Sequence, residues 1–184
     1  MKTTLRTSFA AALTCAAILA AGIAPAQDIK AGDLTIEHPW ARPNLPSRPL
    51  GVYFGIVNSG SDADRLIAAT APGFEAVELH TVVKDGDVMK MQPLEALDVP
   101  ASGRADLMPG GNHLMLFGAS ELYEDGGRFP VTLQFEKAGE VAIEVAVQKR
   151  PPEGAPAGMD HGAGHGAGHD TMQGHGHGAP KPTN

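Results

Sequence analysis

"FPVTLQFEKAGEVAIEVAV", residues 129–147, places large apolar side chains at every second position on both sides of Lys137-Ala138-Gly139. A period of two sends successive side chains to opposite faces, so each run reads as a strand with one face toward a core. The same period recurs outward from this hairpin. It appears in Leu34/Ile36, in Val52/Phe54/Ile56 against Tyr53/Gly55/Val57, in Val77/Leu79 and in Leu114/Leu116. Turn signals separate the runs: Asn58-Ser59-Gly60, Pro72-Gly73, Asp85-Gly86, Pro109-Gly110-Gly111 and Asp125-Gly126-Gly127. No segment longer than two turns carries a helix stripe. Many short strands at such spacing predict an all-β domain, an antiparallel β-sandwich or barrel.

The ends of the chain differ from this middle. Lys2 and Arg6 precede an apolar run from Phe9 to Ile23 and then Ala24-Pro25-Ala26, the pattern of a secretory signal peptide over residues 1–26. The competing reading, lipidation at Cys15, has a poor Ala12-Leu13-Thr14 lipobox, and most of the apolar run follows the cysteine. Cleavage before Gln27 would remove the single cysteine, and with it any disulfide, thiolate nucleophile or thiolate ligand. It would also remove two of 14 basic residues and none of 21 acidic ones, taking the formal charge from −7 to −9. Such a balance disfavours nucleic acid and anionic membrane, and no membrane insertion is expected after signal removal. At Pro151-Pro152 the composition turns to Gly, Ala, Pro and His. Residues 27–150 are therefore read as one domain and residues 151–184 as a disordered tail.

Chemistry concentrates in "HTVVKDGDVMKMQPL", residues 80–94. With Asp85-Gly86 as a two-residue turn, His80 lies opposite Met91 and Val82 opposite Met89, all on one face. Opposed side chains have Cβ atoms roughly 4.5 to 5.5 Å apart, close enough for an imidazole and a thioether to share one ion. "PGGNHLMLFG" repeats the chemistry, with His113 and Met115 on one face and Leu114 and Leu116 on the other. Two His-and-Met pairs suggest a His₂Met₂ site, and soft neutral thioethers favour Cu(I) over zinc, calcium or magnesium. Methionine in a strand is more often core filler, the bland reading for Met89 and Met108; Met89 is otherwise a spare ligand. His38, before a proline, reads as structural or surface, and Trp40 as a packing anchor.

The spacing of these residues resembles a known family. His80, ten residues, Met91, twenty-one residues, His113-x-Met115 is similar to the H-x10-M-x21-H-x-M motif of the periplasmic CuA chaperones (PCuAC). So are "WARPNLPSRPLGVYFGIVNSG", "VELH", "DGDVMKMQPL" and "MPGGNHLML", and the likeness runs over roughly residues 34–148. The resemblance implies a cupredoxin-like Greek-key β-sandwich holding Cu(I) with His80, Met91, His113 and Met115. It further implies a periplasmic, non-enzymatic carrier that delivers copper to the apo CuA domain of cytochrome oxidase subunit II or another copper site. A thiol-bearing copper assembly factor is a further candidate partner, on which the residues themselves are silent. Blue-copper electron transfer is set aside for want of a cysteine.

The tail, "MDHGAGHGAGHDTMQGHGHG", holds Met159, His161, His165, His169, Met172, His175 and His177. Glycine rules out a stable helix, but a flexible imidazole array suits additional copper, Cu(II) above all and Cu(I) through its methionines. The alternative function is a periplasmic copper or zinc buffer dominated by this tail. A copper-dependent enzyme is disfavoured, since no base, nucleophile or cleft is signalled beside the ligands.

Overall fold

The computed structural model describes residues 28–45, 47–86, 88–156 and 158. Among them are eleven strands and no helix. In chain order these are β1 Ile29–Ala31, β2 Leu34–Ala41, β3 Leu50–Asn58, β4 Asp64–Thr70, β5 Ala76–Asp85 and β6 Val88–Pro93. β7 Leu97–Val99, β8 Gly103–Leu107, β9 His113–Phe117, β10 Arg128–Phe135 and β11 Gly139–Val147 complete them. The expected signal peptide, Cys15 included, and the tail from Met159 onward lie outside the described residues.

The 129–147 alternation closes as a hairpin in which Val131 faces Ile143 and Leu133 faces Val141. All four side chains are buried, because paired residues share a face and this face is the apolar one. Hydrogen bonding continues along β6-β5-β9-β3-β2-β11-β10-β4-β7, with β1 beside β2 and β8 beside β3. The sheet is mixed rather than wholly antiparallel, since β11 runs parallel to β2 through Ala146↔Trp40 and Val147↔Ala41. β4 lies against β5, and β7 against β3, with no ladder between them, so the path folds over on itself. Ile36, Phe54, Ile56, Leu66, Leu114, Leu116, Leu133 and Val145 fill the enclosed core. At roughly 25 cal/mol per Å² of apolar surface removed from water, this burial is the main term holding the strands together.

Two local features depart from a regular ladder. β2 is bulged between Glu37 and Trp40, where proline has no N–H to donate and His38 adopts φ 49°. The chain also stays on the domain past the boundary expected at residue 150. Gln148 N donates to Ala41 O at 2.9 Å, Pro156 is buried and Gly158 lies against Pro109. A Cβ built at Gly154 would meet His38 Nε2 at 2.8 Å, so only glycine lets the strand of chain pass this close to the bulge.

One buried carboxylate ties the far edge of the sheet together. Asp64, at the start of β4, accepts N–H bonds from Arg65 at 2.7 Å and from Lys137 and Ala138 at 2.9 Å. Burial alone would raise its pKa, but the three backbone donors outweigh it and hold the carboxyl below its ordinary value. A depressed folded pKa gives stability that is present above the unfolded value of about 3.9 and lost as pH falls through the folded one. We predict that Asp64→Ala costs about 2–3 kcal/mol in urea denaturation at pH 7, by stranding the Lys137 and Ala138 donors. The gap from the unsubstituted protein should narrow as the pH drops below about 4.

Candidate metal centre

β9 carries the first pair of candidate donors because its even positions are taken by the core. Leu114 and Leu116 are fully buried, which leaves His113 and Met115 on the opposite face. β5 pairs with β9 so that His80 faces His113 and Glu78 faces Met115. The two imidazoles are cross-strand neighbours with ring centroids 6.1 Å apart at 39°. Both residues are nearly closed to solvent, His80 at 9% and His113 at 6%.

The β5–β6 hairpin carries the third candidate, in a register two residues from the expected one. His80 faces Pro93, Val82 faces Met91 and Lys84 faces Met89, so the strands close at Asp85↔Val88 rather than around Asp85-Gly86. Gly86, at φ 62°, is the first loop residue. Asp-Gly and Gly-Asp are both two-residue turn signals, and "KDGDV" contains each in turn. Moving the loop by one position shifts the pairing by two, so every side chain keeps its face. His80 and Met91 therefore stay on one face as diagonal neighbours, which lie roughly 7–8 Å apart with Cβ atoms somewhat closer, within reach of long side chains. Met91 is 60% exposed and Met89 45%, on the outermost strand of the sheet. The histidine pair is thus flanked along the strands by Met115 on one side and Met91 on the other.

Aromatic rings wall the site on its inner side. The Tyr53 ring lies 6.3 Å from that of His113, and Trp40 lies 5.0 Å from Tyr53. Trp40 is fully buried, yet it packs on this outer face rather than in the main core, with the Arg42 guanidinium 5.9 Å from its ring. A Cβ on Gly51, which pairs with Met115, would collide with the Tyr53 hydroxyl at 2.5 Å. The absent side chain is what lets the tyrosine lie over β3 toward the methionine. Phe117 closes the other flank, 6.2 Å from His80.

The donor chemistry is selective. Among the described residues no three His, Cys, Asp or Glu side chains converge on one point, which is the arrangement zinc and the hard cations ask for. The converging polar atoms are two imidazoles, with thioethers on their flanks. His80 Nδ1 is buried without a hydrogen-bond partner, an orphan that a metal ion would satisfy. Glu78, which faces Met115 and touches His80 Nε2 at 2.8 Å, was missed in the sequence. Its signal was the period of two in "ELH", which puts it on the same face as His80.

Sheet and donor row define a cupredoxin-like domain with a half-buried row of soft candidate donors. The chain belongs to the family described as "Putative lipoprotein LpqE-like", whose model matches residues 34–147, and its structural relatives are PCuAC domains. The copper-bound PCuAC domain from PmoF2 is 33% identical with a TM-score of 0.57, covering 67% of this chain and 99% of that one. The solution structure of CuI-DR1885 from Deinococcus radiodurans is 26% identical with a TM-score of 0.51, covering 71% and 87%. Putative lipoprotein Lxx21020 of Leifsonia xyli subsp. xyli is 36% identical over 84 residues, 45% of this chain and 51% of that protein. The match spans about half the length of the curated relatives.

Burial holds the His113 pKa below its ordinary value; the Gly111 carbonyl opposes this and neighbouring His80 adds to it. The ring therefore stays neutral, in the form that can donate to a metal, to a lower pH than a free imidazole does. In the metal-free protein His113 should titrate by NMR below about 6.5, the unperturbed value. A midpoint at or above that value would mean its surroundings are wetter than described.

Proposed function

We propose that this protein is an exported copper chaperone that carries Cu(I) on His80, Met91, His113 and Met115. The observation that carries the reading is the donor row itself: two buried imidazoles facing each other across β5 and β9, with thioethers on either side. Soft neutral donors favour Cu(I), and none of the four is a thiol that an oxidising compartment would convert to disulfide. The copper-bound PCuAC domain from PmoF2 and CuI-DR1885 support the same cargo. The family's lipoprotein description supports export, and the periplasm is the compartment we assign.

In this reading copper is cargo rather than a resident cofactor, and the chemistry is ligand exchange. Cu(I) imposes no strict coordination geometry, so an acceptor can replace one thioether at a time. The acceptor we assign is the apo CuA domain of cytochrome oxidase subunit II or another copper site, with a thiol-bearing assembly factor as a further partner. The test is a Cu(I) titration, against a competing chelator, of the chain truncated after Gly158, the last described residue. We expect one tight equivalent, lost in both Met91→Ala and His113→Ala. Met91→Ala should leave stability within about 0.5 kcal/mol, because its side chain is exposed. No binding by the truncated chain would overturn the reading, and transfer to an apo dinuclear copper domain would extend it.

Met159, His161, His165, His169, Met172, His175 and His177 we assign to additional copper, chiefly Cu(II). They lie outside the described residues, and composition alone supports them. Imidazole must be neutral to bind, so Cu(II) held by the tail should be released as pH falls from 7.5 to 5, through about 6.5. Isothermal titration of full-length and truncated protein at both pH values checks this. If tail binding dominated and the core bound nothing, the protein would be a copper or zinc buffer instead.

A further inference from the structure

Two hydrogen bonds turn the facing imidazoles in opposite senses. His113 Nδ1 lies 3.0 Å from the Gly111 carbonyl oxygen. A carbonyl only accepts, so Nδ1 carries the proton and the lone pair is on Nε2. His80 Nε2 lies 2.8 Å from Glu78 Oε2. A carboxylate only accepts as well, so here Nε2 carries the proton, and in the neutral ring the lone pair is on Nδ1. That Nδ1 is the buried nitrogen left without a partner.

We propose that Glu78 is a positioning residue that fixes the tautomer and rotation of His80, so that copper is held by Nδ1 of His80 and Nε2 of His113. The inference rests on the reading that both histidines hold Cu(I). Glu78 stands in the cross-strand row adjoining the histidine pair, opposite Met115. Sheet geometry therefore aims its carboxylate along β5 at the ring two residues on. A carboxylate behind a metal-bound imidazole locks its orientation and raises its basicity, and loss of such a partner typically costs 10–100-fold in affinity. The Glu78 carboxylate also places a negative charge beside the donor row. Nδ1 adjoins the Cβ-bearing ring carbon and Nε2 is at the far side of the ring. The two modes together would set copper close over β5 and farther out from β9, an off-centre seat that two Nε2 donors would not give.

The test is long-range ¹H–¹⁵N correlation on the full-length protein with ¹⁵N-labelled histidine, without metal and with one equivalent of Cu(I). His80 and His113 are assigned from His→Gln variants. We expect His80 in the Nε2–H tautomer and His113 in the Nδ1–H tautomer, with Cu(I) shifting His80 Nδ1 and His113 Nε2. Glu78→Ala should erase the tautomer preference of His80 and weaken Cu(I) about 10–100-fold. Glu78→Gln, whose amide oxygen accepts the same bond, should restore the tautomer and most of the affinity. A Cu(I) shift at His80 Nε2 would overturn the inference, since the metal would then displace Glu78, and so would an unchanged tautomer in Glu78→Ala. If neither nitrogen of His80 moved, the ligand set itself would fall, and this assignment with it.

Discussion

The site depends on β9 being held on both edges at once. β5 takes one edge through Val77↔Leu116 to His80↔His113, and β3 takes the other through Leu50↔Leu116 to Val52↔Leu114. With both ladders made, the strand cannot slip by one residue without driving Leu114 and Leu116 outward and His113 and Met115 into the core. The burial of two leucines, worth roughly 2–3 kcal/mol each, thus fixes where the imidazoles face. Hydrophobic register sets which face the rings occupy, and hydrogen bonds to the Gly111 carbonyl and the Glu78 carboxylate set how they are turned there.

Much of the fold could be read from alternation alone, because a half-buried strand writes its two faces directly into the sequence. Residues 129–147, Leu114/Leu116 and the run around Phe54 are clear cases. β4 was not legible: its inward positions include Asp64, a polar residue buried because three backbone N–H groups bond to it, and Ala69, whose small side chain gives a weak signal. The parallel pairing of β11 with β2 was not legible either, since nothing local in either strand names a partner a hundred residues away. The chain past residue 150 looked unable to bury anything, yet Pro156 and Gly158 find a surface that only the folded domain provides.

The candidate site was legible in composition and face and illegible in register. Turn chemistry narrows the β5–β6 hairpin to two alternatives that differ by one loop residue, and both send His80 and Met91 the same way. The period of two therefore conveys which side of the sheet a donor occupies more securely than its distance from another donor. Pairing of His80 with His113 is a contact between β5 and β9 that neither segment announces alone. Tyr53 escaped for a related reason, since its place beside His113 joins β3 to β9, strands that are not adjacent in the chain.

The uneven cover of the donor row has a kinetic meaning. Its centre is enclosed, with two imidazoles between Tyr53 and Phe117, while Met91 stands in solvent on the edge hairpin. In the proposed function the enclosed pair would set how strongly copper is held, and the loose thioether would set how soon it leaves. Affinity and residence time could then be adjusted separately: the first by the sheet's interior, the second by one strand with a free edge. An acceptor arriving at that edge would meet the weakest bond first, and departure would have a direction built into it.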